Sequence, residues 1–516
     1  MPKLTDLTTY ADAQRYFSLE KVWELFDGNR EHLNIAHECI DRHATDDRVA
    51  MRIAHADGSD TDLTFRTISR ESSRFAHYLA GQGIKAGDVV AIMLEPSLPF
   101  YAGLFGALKL GATVVSLFTL FGPDGLRLRV EDCKPKLLLT NVEKAPMAKG
   151  IDDLAVAVAD DEFLEGLKVY PDSFKVAATR GDDLAVLQYT SGTSRQLPDA
   201  VRHTHRSIVM VMVSSLYGLG LRPGDKFFCP SSPAWGHGLW QGTLAPLALG
   251  ITTGTYSGRF KAERLLQALQ DYYITNLSAA ATHYRMIKNS GVSANYRYTI
   301  KKLSFAGEPI DAETLVYTEK LFKTPVCGVY GTTEIGGVMA NYPGAEDFVV
   351  KPGSLGKPIP GLRIEVHGPN GAPCLPGEVG ELVIWRKNAW FPTKDLARVD
   401  ENDNFYFAGR ADDVIISAGW TMSAVEIENT MLKHPDVLEA AAIGVPDDLR
   451  GLAVKAFVVS DRPGDDNFTR EIQDLVRGLL SQHEYPRIID FVDELPKTPS
   501  GKILRKALRD REHEAR

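Results

Sequence analysis

Between Ile68 and Tyr189 the chain repeatedly changes its apolar period, and this limits the available folds more than any other feature. Ile68, Phe75, Ala76, Tyr78 and Leu79 recur at helical spacing, and Gly81 and Gly83 stop the run. From Asp88 to Leu94 comes a short apolar run that reads as a buried strand. Leu98 to Leu110 reads as a helix, and Thr113 to Phe118 as another strand. Leu184 to Tyr189 is a further strand, and it runs straight into a loop of serine, threonine and glycine. Strands that alternate with helices form parallel sheets with helices on their faces. The expectation is an α/β fold of stacked layers.

A chain of 516 residues is too long for one hydrophobic core. Its last part reads as a smaller α+β unit. Ser423 and Glu426 form a capping box that opens a helix to about Lys433. Strands follow at Leu438 to Val445 and Ala453 to Val459, a helix at Thr469 to Gln482, and a short strand at Ile488 to Val492. Gly409, Arg410, Ala411, Asp412 and Asp413 read as a polar turn between the two units, so the boundary is expected between residues 411 and 412.

Several function classes are disfavoured. A formal net charge of −9 argues against a general nucleic-acid binder, which would need a basic face. Cys39, Cys133, Cys229, Cys327 and Cys374 are scattered without a CxxC pair, which argues against a zinc site or a disulfide framework and fits a reducing, cytoplasmic setting. The N-terminal stretch lacks an apolar signal core. Phe227 to Gly258 contains no Asp, Glu, Lys or Arg, yet Pro230, Pro233, His237 and Pro246 interrupt it. A membrane span needs about 20 mainly apolar residues, so this segment is expected to line a buried pocket.

The chemistry is carried by six ordered segments. Thr190, Ser191, Gly192, Thr193 and Ser194 follow a strand and offer backbone and hydroxyl donors to a polyphosphate. This is not the Walker pattern, because no Gly-Lys-Ser/Thr follows. Next come Gly307, Glu308 and Pro309, and then Tyr330, Gly331, Thr332, Thr333 and Glu334. Asp395 closes the fourth segment, Arg410 lies in the fifth, and Lys502 ends a Pro-Ser-Gly-Lys run in the sixth. In this order and spacing the segments resemble the acyl-CoA synthetases of the adenylate-forming, AMP-binding superfamily, of the medium-chain and aromatic acyl-CoA ligase kind. The resemblance extends from about Asn34 to Lys506.

The resemblance implies a large N-terminal domain over 1–411 that binds AMP and the acid, and a small mobile C-terminal domain over 412–516 that carries the lysine. It implies ATP, Mg2+ and coenzyme A as co-substrates and a small carboxylic acid as the group activated. Thr190 to Thr193, with Ser194 and Arg195 beside them, would wrap the phosphates. Tyr330 would stack on adenine, opposite Gly307, Glu308 and Pro309, within the Gly331 and Thr332 segment. Thr333 would touch the α-phosphate. Glu334 would hold magnesium, a hard cation suited to oxygen ligands. Asp395 would accept the ribose hydroxyls and Arg410 would donate to the ribose. Lys502 would stabilise charge as it develops between carboxylate and phosphate. Asp412 would be a hinge, and Ala418, Gly419 and Trp420 would meet CoA. The acid pocket would be lined by Trp235, His237, Trp240 and Ala281, with two tryptophans to wall an aromatic, alicyclic or medium-chain group. His237 could contact substrate or satisfy a core neighbour.

The departures from the family pattern matter as much. The phosphate loop continues as Arg195 to Ala200, with Asp199 near the place where a lysine is usual and Arg195 where a second glycine is usual. Arg195 or Arg202 could restore the positive charge, with a planar fork instead of a point charge. Lys394 replaces the glycine that usually precedes the aspartate, and Thr421 stands where an arginine is common. Two other readings therefore stay open: an adenylating enzyme that loads a carrier protein, and a catalytically impaired acyl- or nucleotide-binding homologue. No integral membrane association is expected, and a homodimer is left open.

Overall fold

The computed structural model describes residues 2–189, 200–307, 310–332, 335–410, 414–417, 420–447, 451–480, 485–498 and 503–514. The chain forms two compact units. Among the described residues, one takes 2–350 and 359–361, and the other takes 351–358 and 362–514. The boundary expected at 411/412 falls on residues outside the described set.

The first unit contains two large sheets. In one, the spatial order is Gly336–Ala340, Val326–Thr332, Lys302–Ala306, Asn276–Ala280, Phe227–Cys229, Thr253–Ser257, Val49–His55 and Asp60–Thr64. All neighbours from Val326–Thr332 through Val49–His55 are parallel, and the flanking pairs are antiparallel. The other sheet runs Ala155–Val158, Leu137–Thr140, Val89–Met93, Thr113–Ser116, Leu184–Tyr189 and Ala200–Thr204, parallel except for its last pair. This is the α/β layering expected from the alternating periods.

Local chemistry fixes the helices between the strands. Leu98–Leu110 begins at Ser97, whose hydroxyl accepts from the Phe100 N–H, and ends at Gly111 with φ of 79°. It packs closely on the helix Phe65–Gly81. A Cβ at Gly106 would lie 2.7 Å from the Ser72 carbonyl oxygen, so only glycine allows that approach. The uncharged segment folds as the strand Phe227–Cys229, a π-helix at His237–Leu244, the short helix Ala245–Ala248 and the strand Thr253–Ser257, almost all buried. Among the described residues no helix is long and apolar enough to cross a membrane.

The second unit holds an antiparallel sheet in the order Ile364–His367, Gly380–Arg386, Ala389–Val399 and Phe405–Arg410. It also holds a ribbon, Val414–Ser417 with Trp420–Ser423, and a sheet of Glu439–Asp447, Gly451–Val459 and Ile488–Phe491. Its helix Asp466–Leu479 starts three residues before the expected Thr469, because the Asp465 carboxylate caps it by accepting from the Phe468 N–H at 2.7 Å. Phe468, Ile472 and Val476 recur every fourth residue and are fully buried, each worth about 1.5–3 kcal/mol of apolar burial. The helix expected from Ser423 to Lys433 spans Ala424–Met431. Gly409 and Arg410, expected in a polar turn, instead end a strand, because they pair with Leu396 and Asp395.

Candidate active site

In the parallel sheet of the first unit, the carboxyl ends of neighbouring strands are level. Ala280 pairs with Ala306, and Ala306 with Val329. Each strand therefore delivers its next residues to the same rim: Ser231 after Cys229, Ala281 after Ala280, Gly307 after Ala306, and Tyr330 after Val329. In open α/β sheets, ligands bind outside these carboxyl ends. Segments nearly a hundred positions apart in sequence converge here for a topological reason.

Gly307 has φ of 96°, and a Cβ there would lie 2.4 Å from Cη2 of Trp235. The indole thus occupies the space that a side chain at 307 would need. Tyr330 pairs with Met339 across an antiparallel bulge, and Thr332 with Gly336. A Cβ at Gly331 would lie 2.0 Å from the Gly336 carbonyl oxygen, so glycine is required for that strand pairing. Ala281 is buried in the first turn of the helix Ala281–Ser290.

The wall above this rim is the π-helix, which starts at His237. A π segment of eight residues is rare, and π segments are frequent at functional sites. Both ring nitrogens of His237 are occupied, Nδ1 by the Ser231 hydroxyl at 3.0 Å and Nε2 by the Ser278 hydroxyl at 2.8 Å. A neutral imidazole donates at one nitrogen and accepts at the other, so the serines take opposite roles. Burial, with the nearby His283 adding to it, pushes the His237 pKa down to about 3. His283 is pushed down to about 4 by burial, and its Nδ1 accepts from the Ala280 N–H at 3.2 Å. Both rings are neutral near pH 7. Trp240, also buried, donates its indole N–H to Gln188 Oε1 at 3.2 Å and packs against the His203 ring at 5.0 Å between centroids. Gln188 sits on Leu184–Tyr189, so this bond ties the π-helix to the second sheet.

The same strand leads into the segment expected to bind phosphate, and Tyr189 stands opposite Ala200 on the returning strand. The residues expected on phosphate, Thr190, Ser191, Gly192, Thr193, Ser194 and Arg195, lie outside the described residues. So do Glu308, Pro309, Thr333, Glu334, Asp412, Ala418, Gly419 and Lys502.

In the second unit, Asp395 and Arg410 are direct cross-strand partners. Asp395 is 5% exposed, and the Thr393 hydroxyl accepts its N–H at 3.2 Å. Lys394 takes the left-handed conformation, φ 61°, with its N–H donated to Glu381 Oε1 at 3.0 Å. The backbone thus keeps the shape that a glycine would adopt freely, although the residue is lysine. Trp420 pairs with Ser417 in the two-stranded ribbon.

Gln188, Ser278 and His283 were not anticipated from the sequence. Gln188 carried a readable signal, since it is the one strongly polar residue in the otherwise apolar run Leu184 to Tyr189. Ser278 and His283 gave none, because only the fold brings them to His237.

Known proteins show which family the chain falls in. The chain matches the family described as AMP-binding enzyme over residues 40–390 and the AMP-binding enzyme C-terminal domain over residues 426–502. It is 32% identical to an uncharacterized acyl-CoA ligase, YtcI, of Bacillus subtilis, over 93% of this chain and 96% of that protein. It is 31% identical to an acetyl-coenzyme A synthetase of the same bacterium, over 98% of this chain and 95% of that protein. Among solved structures it resembles a Brucella canis acyl-CoA synthetase, with a TM-score of 0.77 at 32% identity over 99% of this chain and 100% of that one.

Proposed function

The chain belongs to the AMP-binding enzyme family, and on that premise we propose that it joins an aromatic, alicyclic or medium-chain carboxylic acid to coenzyme A. It is an AMP-forming acid–thiol ligase that works through an acyl-adenylate. The observation that supports the acid assignment is the convergence of Trp235, Gly307, His237, Ala281 and Tyr330 at the carboxyl ends of one parallel sheet. An uncharged, aromatic wall suits an acyl group with an apolar body. His237, neutral and held by two serines, shapes that wall.

In the first half-reaction a carboxylate oxygen attacks the α-phosphorus of Mg-ATP, and the bond to pyrophosphate breaks. Thr190 to Thr193 hold the phosphates, Arg195 supplies charge there, and Thr333 contacts the α-phosphate. Glu334 would supply an oxygen ligand to the magnesium that accompanies ATP. Tyr330 stacks on adenine beside Gly307, Glu308 and Pro309, and Asp395 and Arg410 hold the ribose. Lys502 stabilises the charge that develops between carboxylate and phosphate. In the second half-reaction the CoA thiolate attacks the acyl carbon, and the bond to AMP breaks. The C-terminal domain, 412–516, turns about Asp412, so that Lys502 gives way to Ala418, Gly419 and Trp420 on the CoA side. One site then uses two sets of groups in succession.

The direct test is a panel of carboxylic acids with ATP, magnesium and CoA, read by AMP and thioester formation. Equal amounts of AMP and acyl-CoA are expected with at least one apolar acid. AMP formed only with an acyl carrier protein as acceptor would overturn the CoA assignment.

A further inference from the structure

Within the acid–CoA ligase reading, on which this inference rests, we propose that Gln188 is a specificity-determining hydrogen-bond donor in the acid pocket. The preferred acid then carries a neutral acceptor oxygen (hydroxyl, carbonyl or ether) on its carbon framework. Gln188 is 3% exposed. Its Oε1 accepts from the Trp240 indole, a group that can only donate, so the amide orientation is fixed and Nε2 faces away. That Nε2 is buried and meets no hydrogen-bond partner among the described residues. A buried donor left without an acceptor is unfavourable, so a partner that arrives with substrate has a clear role.

The surroundings indicate which partner. Gly236 puts no side chain against the amide: a Cβ there would be in ordinary contact with it, 3.4 Å from Oε1 and 4.0 Å from Nε2. The next residue back, Trp235, closes over Gly307, and the next residue forward, His237, opens the π-helix. Val201 and His203 lie opposite Gln188 and Val186 in the strand register, so they share its face, and His203 packs on Trp240. The amide therefore looks into an aromatic wall whose segment, Phe227 to Gly258, contains no charged residue. A phosphate oxygen would be poorly matched there, because nothing in that wall balances its charge. A neutral oxygen on the acid is matched, and a site built around a buried donor discriminates strongly against analogues that lack the acceptor.

The test compares matched acids by kcat/KM: benzoate against its hydroxybenzoate isomers, and hexanoate against its hydroxy and oxo derivatives. The intact enzyme should favour at least one oxygen-bearing acid over its parent by about tenfold or more. Gln188→Leu should erase that preference and leave KM for ATP unchanged. Gly236→Ala, which the spacing tolerates, should reduce it. If Gln188→Leu slows every acid equally, the donor serves the adenylate common to all of them and the proposal fails. If the intact enzyme shows no preference within any pair, the proposal also fails while the ligase reading stands. If no acid yields AMP at all, it is the ligase reading that falls.

Discussion

The two units hold their candidate residues by different means. In the first, His237 and Trp240 on the π-helix, Gln188 near the end of its strand and Ala281 in the first turn of its helix are all buried, and side-chain hydrogen bonds hold the first three. In the second, Asp395 and Arg410 sit on adjoining antiparallel strands, and the residue before Asp395 is an exposed lysine in a left-handed conformation. The packed sheet end keeps these side chains from water. Asp395 is itself buried, so the hairpin sets a buried carboxylate beside a strained, exposed neighbour. Substitutions should therefore damage the first unit through packing and the second mainly through lost contacts to ligand.

The largest effect should come from the C-terminal lysine. Lys502→Ala is expected to slow adenylate formation by about a hundredfold or more, the usual scale for one lost transition-state donor. Thioester formation from preformed acyl-AMP should be nearly unchanged. Single-turnover kinetics of the two half-reactions decide this, and equal loss in both would mean that the residue does not act through a contact made in one half-reaction alone. Next, Gly307→Ala should destabilise the protein by about 1–3 kcal/mol, because it adds backbone strain and drives a methyl into Trp235. Thermal unfolding measures it; an unchanged Tm would show that the sheet end is looser than the contact implies.

Acid pH should single out the first unit. His237 and His283 have folded pKa values of about 3 and about 4, below their ordinary 6.5. The unfolded chain therefore binds more protons between those values. Stability is fully present above pH 6.5 and is lost as pH falls toward 4, by up to about 1.4 kcal/mol per pH unit for each ring. Urea midpoints should fall over that window, and His237→Gln should flatten the fall. The smallest effect is a gain: Lys394→Gly should stabilise the second unit by about 1 kcal/mol, because glycine adopts the left-handed conformation without penalty. No gain would mean that glycine's greater freedom in the unfolded chain offsets the relieved strain.

The same contrast explains what could be read in advance. The helix Leu98–Leu110 and the strand Leu184–Tyr189 have the bounds expected, because a capping serine, a stopping glycine and unbroken apolar runs mark them locally. The strand expected at Thr113 to Phe118 ends at Ser116. The antiparallel sheet Ile364–Arg410 gave no comparable signal, since its strands are half-exposed and interrupted by charges such as Arg386, Lys387 and Lys394. The π-helix at His237–Leu244 was invisible because its extra residue per turn follows none of the usual periods. At the site, residue types in a fixed order could be read, while the His237 and Gln188 networks depend on strands brought together only by folding.

Oxygen transfer tests the central claim most directly. The favoured acid, labelled with 18O in its carboxyl group, is incubated with ATP, magnesium and CoA, and the nucleotide product is analysed by mass spectrometry. If a carboxylate oxygen bonds to the α-phosphorus and the thiol then cleaves the acyl–oxygen bond, one label must appear in AMP. Unlabelled AMP, or label in inorganic phosphate with ADP as product, would contradict an acyl-adenylate route.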